Sequence, residues 1–261
     1  MFKSVFAKTL FEKRWAIIAW SAALFAANFL MIQLFPPLRD AFADMMTNIP
    51  PALQGWFGSG EIWSTMSGFV SSQVFGQMAT VMIVFGIIFA NSIFAAEEKS
   101  GVLLTQLARP IKREYYFLQK FSALIVATIS VAIFYLLGAW FGTVVLSYTV
   151  PITDLLVPGI ALILLTLSFA SIALGIGAAT GRGTLAAIVV GFYATVFYFV
   201  STFGVAAPIL ETISKFSPFY WYGNPMSNGL PFWHVIALVD FIIVPIVVGL
   251  VVFARRDLKT Q

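Results

Sequence analysis

The chain has 261 residues, of which 60% are hydrophobic and only 10% charged, with a mean hydropathy of +0.95. Soluble domains carry about 25% charged and about 45–50% apolar residues, so this is an integral membrane protein with no length left for a separate soluble domain. The absence of Cys and the single His, His234, exclude disulfides, thiolate chemistry and a multi-His metal site within one chain. The net charge of +4 reads as a positional bias of Lys and Arg around membrane spans, not as a nucleic-acid surface.

The N-terminal stretch MFKSVFAKTLFEKR, residues 1–14, mixes Phe2, Phe6 and Leu10 with Lys3, Lys8 and Glu12 and is expected to form an interfacial helix. The apolar run after it continues to Phe35, too long for a signal peptide, so no cleavage is expected. Uncharged stretches then punctuate the chain at 15–38, 62–96, 121–153, 155–181, 183–210 and 241–254. A spanning helix needs about 20 apolar residues. The pattern predicts an all-α, polytopic membrane protein in one domain, 1–261, with six spans at 15–35, 69–95, 119–148, 154–179, 184–205 and 232–253.

Between the spans, Pro36 and Pro37 are expected to stop the first helix. The following loop, to residue 68, offers AFADMM as a short amphipathic helix and IPPALQGWFGSG as a turn, a short helix and a Gly-rich break. Segment 206–231 is too apolar for a solvated loop. It is expected to dip into the outer leaflet as short re-entrant helices, with its aromatics at headgroup level. Orientation follows from the basic residues. Lys3, Lys8, Lys13, Arg14, Lys99, Arg109, Lys112, Arg113, Lys120, Arg182, Arg255, Arg256 and Lys259 fall on one side, and only Arg39 and Lys215 on the other. The basic side is expected to be cytoplasmic, with both termini in it, in a cell membrane of the bacterial inner-membrane kind.

Several chemistries find no support. There is no GxxxxGK[ST] phosphate loop, and GIGAATGRG at 175–183 lies in an apolar helix. No GxSxG elbow accompanies His234, which argues against an intramembrane serine protease. One Asn-Pro, in GNPMSNG at 223–229, does not make the paired half-helices of a water channel. Ser171, Gly175 and Ala179, and likewise Ser72, Gly76 and Thr80, repeat at four-residue spacing. They read as close helix packing within one chain, with a dimer seam as the alternative. Asp240 is the one acid inside a span. A carboxylate at mid-membrane costs roughly 2.5–3.5 kcal/mol, so Asp240 is expected to face protein or water, on a transport path or hydrogen-bonded to the re-entrant segment. The aromatics of FSPFYWY, with Phe219, Tyr220 and Trp221, either line that path or form an interfacial belt.

The stretch EEKSGVLLTQLARPIKR, 97–113, is the first basic-side loop. Gly101 can break the helix, VLLTQLA is one to two turns of good helix former, and Pro110 ends it. Leu103 and Leu107 share a face, with Leu104 beside them. This predicts a short transverse helix with an apolar crest, made either for a partner or for the lipid surface.

At Glu97, Glu98, Gly101, Leu103, Leu104, Leu107, Pro110 and Arg113 the chain resembles the membrane subunit of type-two ATP-binding-cassette exporters. PPALQGWFG, FSPFYW and the terminal FARRDL look like the same family, in the same order, while Val102 stands where the family often has Thr. The resemblance implies a permease without ATPase activity that binds no cofactor itself, ATP and Mg being held by a cytoplasmic ATP-binding subunit. It implies a second permease, a copy or a paralogue, as partner within membrane lipid. It also makes 97–113 the coupling loop, with Glu97, Glu98, Lys99, Arg109 and Arg113 setting its register. Amphipathic cargo such as a drug, a peptide antibiotic or a lipid would cross between the two protomers. An ion-coupled transporter using Asp240, or a non-transporting assembly protein, is the alternative.

Overall fold

Apolar runs separated by charged turns leave the backbone one economical solution in lipid, which is the helix, because each helical N–H and C=O is satisfied inside its own segment. The computed structural model describes residues 4–42, 64–107, 111–148, 150–204 and 208–256. Among them there is no strand, and six helices are long and apolar enough to cross a membrane. They are Val5–Gln33, Met66–Lys99, Arg113–Val145, Ile152–Thr180, Gly183–Thr202 and Phe232–Arg255. All six predicted spans are therefore present. The PPALQGWFG stretch lies outside the described residues.

The first span is helix α1, Val5–Gln33, capped by the Ser4 hydroxyl, which accepts from Ala7 N at 3.2 Å. Among the described residues the predicted interfacial segment is not a separate helix but the start of α1. No Gly or Pro interrupts residues 5–33, so the segment expected to lie on the surface continues straight into the span. At 1.5 Å per residue, 29 residues reach about 43 Å, well past a hydrocarbon core of about 30 Å. Helix α2, Phe35–Phe42, follows after Leu34. Pro36 and Pro37 sit in its first turn, where a missing N–H costs nothing, so they begin a helix as well as end one. Only the first two residues of AFADMM fall in α2, and the rest lies outside the described residues.

The second span is composite: α3 (Met66–Phe69), a π-helical segment (Val70–Met78), α4 (Ala79–Ile93) and α5 (Ala95–Lys99). Helix α6 is Val102–Leu107, and α7, the third span, is Arg113–Val145. A 3₁₀ turn, Ile152–Leu155, leads into α8, Leu156–Thr180, and then α9 covers Gly183–Thr202. Segment 206–231 supplies three short helices, α10 (Pro208–Ser214), α11 (Pro218–Tyr222) and α12 (Pro225–Asn228), before α13, Phe232–Arg255. Each short helix opens on a proline, whose fixed φ suits a first turn.

Two span pairs dominate the packing, α1 with α7 and α8 with α13, and α4 also packs on α8. Gly138 makes the first pair possible, since a Cβ there would lie 2.3 Å from the carbonyl oxygen of Phe25. Both ends of that pair are tied by glutamines: Phe6 N donates to Gln119 Oε1 at 2.9 Å, and Gln33 Nε2 to Gly142 O at 3.2 Å. In the second pair a Cβ on Gly249 would meet the Gly175 Cα at 2.7 Å. The Gly175 row is thus spent on packing within the chain. Ser72, Gly76 and Thr80 behave differently. They are half-exposed, and a Cβ on Gly76 would meet nothing closer than Ser71 O at 3.8 Å.

A π segment leaves carbonyls with spare acceptor capacity, which lipid cannot fill. Tyrosine hydroxyls fill it here. Tyr135 donates to Val74 O, and Tyr222 donates to Phe75 O at 2.7 Å. Burial pushes the Tyr222 hydroxyl above its ordinary pKa, so it stays protonated and remains a donor.

Candidate coupling site at the basic end of the bundle

The site begins where the second span ends. Phe94 leaves helical geometry (φ −128°, ψ −73°) and separates α4 from α5. Its fully buried ring lies 4.9 Å from Phe253, 5.6 Å from Phe117 and 6.1 Å from Tyr116, edge-on to each. Edge-to-face pairs are each worth about 0.5–1.5 kcal/mol beyond their buried area. One phenylalanine therefore joins the end of the second span, the start of the third and the end of the sixth.

Charges reinforce the same junction. Glu97, only 8% exposed, accepts from Lys120 Nζ at 2.6 Å and from Tyr116 Oη at 2.8 Å. Lys120 is 1% exposed, one of the most deeply buried cations in the chain. Both Glu98 carboxylate oxygens accept from Arg256 Nη2, and Arg113 Nη1 donates to the Arg256 carbonyl at 2.6 Å. Glu97 and Glu98 were expected to set register on a partner. In the structure both are turned inward, Glu97 to the third span and Glu98 to the end of the sixth, and Arg113 serves the same clamp. A carboxylate withdrawn from water needs a partner, and each has found one within its own chain, buried Lys120 for Glu97 and half-buried Arg256 for Glu98.

Gly101 makes the expected break, with φ +76°, which L residues rarely adopt, and its N–H donates to Glu98 O at 3.0 Å. Helix α6 follows, as the VLLTQLA pattern predicts. Its crest is not fully outward, however. Leu103 is completely buried in the protein's own core, whereas Val102 is 37% exposed. Packing within the core has claimed the first of the three leucines. Arg109 and Pro110 lie outside the described residues, as do the side chains of Leu104 and Leu107.

The second group of candidates is not brought to this site. Phe219, Tyr220 and Trp221 belong to α11, in the connection between the far ends of the fifth and sixth spans. Phe219 packs within the bundle, its ring tilted 5.1 Å from Phe169 and edge-on 5.6 Å from Tyr198. Trp221 Nε1 donates to Lys215 O at 3.0 Å, and Trp221 O lies 2.7 Å from His234 Nδ1. Asp240 is exposed on α13 and has no hydrogen bond or ion pair among the described residues, so the expected bond to the re-entrant segment is not made. The sequence does not mark Tyr116, Lys120 and Arg256 as site residues, nor the rings of Phe94, Phe117 and Phe253 that share the junction. The usable signal was Lys120 itself, a lysine seven residues inside a helix that runs on as an apolar span.

Six candidate spans, with the end of the second tied to the third and the sixth, define a polytopic membrane protein. A family model described as ABC-2 family transporter protein matches residues 21–258, so the chain belongs to the ABC-2 transporter family and is a membrane permease subunit of an ABC transporter. No curated protein matches the chain. The family as a whole works with an ATP-binding subunit.

Proposed function

We propose that this permease exports amphipathic cargo (a drug, a peptide antibiotic or a lipid) between two permease protomers, driven by ATP hydrolysis on a separate cytoplasmic subunit. The observation that supports this reading best is the anchoring of the 97–113 loop. Phe94, Glu97 and Glu98 tie its origin to the third and sixth spans, so a push on the loop moves three spans at once. The contact with the ATPase falls to the outward part of the loop, with Val102 on its exposed side, while Leu103, Glu97 and Glu98 hold the loop from within. Affinity-purified permease is expected to bring down a soluble subunit carrying a phosphate-loop motif and to support ATP-dependent transport in vesicles. Purification with no such subunit, alongside transport driven by an ion gradient, would favour the ion-coupled alternative.

The basic end is cytoplasmic in this reading, in a bacterial inner membrane. The chain has no Cys, so single cysteines label without background. A cysteine replacing exposed Ser227 is expected to react with an impermeant thiol reagent in intact cells, and one replacing exposed Ser100 only after lysis. Reversed labelling overturns the orientation.

Asp240 faces outward from the protomer, where lipid would cost it roughly 2.5–3.5 kcal/mol at mid-membrane. In the assembled transporter it faces the second permease or a wet path. Asp240→Leu is then expected to lower transport or dimer yield, and Asp240→Asn separates charge from hydrogen bonding. Wild-type transport with raised thermal stability in Asp240→Leu would place Asp240 on lipid.

A further inference from the structure

Beside the clamp lies a cavity of about 590 Å³ to which the coupling reading assigns no role. Asn91, Glu98, Lys99, Arg182, Leu185 and Arg256 are among the residues that line it. Among the described residues its charges do not balance. Three cations, Lys99, Arg182 and Arg256, face one carboxylate, Glu98, and that carboxylate is already taken by Arg256. The side chains of Lys99 and Arg182 are exposed and make no ion pair among the described residues. Arg256 Nε is buried without an acceptor. Helix α9 starts at Gly183 on the cavity wall, so the positive end of its dipole adds to the same sign.

A cavity with uncompensated positive charge between membrane helices suits an anionic headgroup. The apolar surroundings select the kind of anion. From Leu185 on the cavity wall, α9 carries Ile188, Val189 and Phe192, all exposed. Leu185, Ile188 and Phe192 fall on one helix face and run away from the cavity along the span. A soluble acidic segment has no use for such a strip, and an acyl chain does. We propose that this cavity binds the phosphate headgroup of an anionic phospholipid, with an acyl chain laid along Leu185, Ile188 and Phe192.

The full-length permease in neutral detergent, titrated with phosphatidylglycerol and read by native mass spectrometry, tests this without reference to membrane orientation. Wild type is expected to retain phosphatidylglycerol in preference to phosphatidylcholine. Each cation near a membrane surface is worth about a fivefold change in binding, so the double variant Lys99→Gln, Arg182→Gln is expected to bind the tightest phosphatidylglycerol about thirtyfold more weakly. Lys99→Arg with Arg182→Lys keeps the charge and is expected to keep the binding, as is Lys215→Gln at the other end of the bundle. Both cations are exposed, so neither substitution removes a packed side chain. Unchanged phosphatidylglycerol binding in the double Gln variant overturns the proposal. Displacement of the lipid by millimolar inorganic phosphate would assign the cavity to a free anion. Loss of a co-purifying ATPase from the double variant, with lipid binding intact, would assign it to that subunit; either result also overturns it.

Discussion

Lys120→Met is expected to lower the stability of the permease by about 3–5 kcal/mol, because it strands the Glu97 carboxylate in a site that is only 8% exposed. The remaining hydroxyl of Tyr116 cannot neutralise it. The reading is thermal unfolding in detergent, followed by intrinsic tryptophan fluorescence and by loss of the monodisperse elution peak. Adding Glu97→Gln to Lys120→Met removes the stranded charge and is expected to restore much of the loss, since a neutral amide still accepts from Tyr116. Tyr116→Phe alone leaves the ion pair in place and is expected to cost about 1–3 kcal/mol. Equal stability of wild type and Lys120→Met would show that the pair holds nothing together and would remove the clamp from the account of the loop.

The second large effect separates the inside of α6 from its outside. Leu103→Asp places an unpaired carboxylate in a fully buried position and is expected to cost on the order of 3–5 kcal/mol, enough to lose the protein from the membrane fraction. Val102→Asp changes a residue that is 37% exposed, so stability should move by only about 0.5 kcal/mol. Its effect is expected in ATPase co-purification and in coupled transport. The two neighbours thus predict opposite phenotypes, absence of the permease against presence of an uncoupled one. A stable Leu103→Asp permease that loses only its ATPase would return the whole leucine crest to the docking surface.

The six spans were legible because membrane insertion is written in one dimension: long uncharged runs, with lysine and arginine crowded at alternate ends. The break at Gly101 and the short helix after it were legible for the same local reason, as were the proline-led helices before the last span. The partners of the loop acids were not. Lys120 lies 23 residues from Glu97, and Arg256 lies 158 residues from Glu98, so no local pattern joins them. An acid followed by a leucine ridge looks like a docking face whether its carboxylate points out or in, and only the packing of three spans decides which. The π segment was hidden likewise. Nothing in VSSQVFGQM announces a change of helical pitch, and the hydroxyls that satisfy it come from Tyr135 and Tyr222.

The order of assembly is constrained by the pairing of the first span with the third. The contacts that close it join residues 113 and 109 positions apart, Phe6 with Gln119 and Gln33 with Gly142. Until then buried Thr9, Ser21 and Asn28 lack the α7 neighbour, and Thr9 and Asn28 turn back on their own helix, to Val5 O at 2.8 Å and Leu24 O at 2.9 Å. Those internal bonds satisfy the Thr9 hydroxyl and the Asn28 amide nitrogen while the helix waits in lipid. The second span, meanwhile, enters without the lysine that will neutralise Glu97. A nascent chain halted after α5 therefore holds a first span without its principal partner and a second span whose Glu97 lacks Lys120; the emergence of α7 from the ribosome supplies both contacts, and the packing of α4 on α8 follows later.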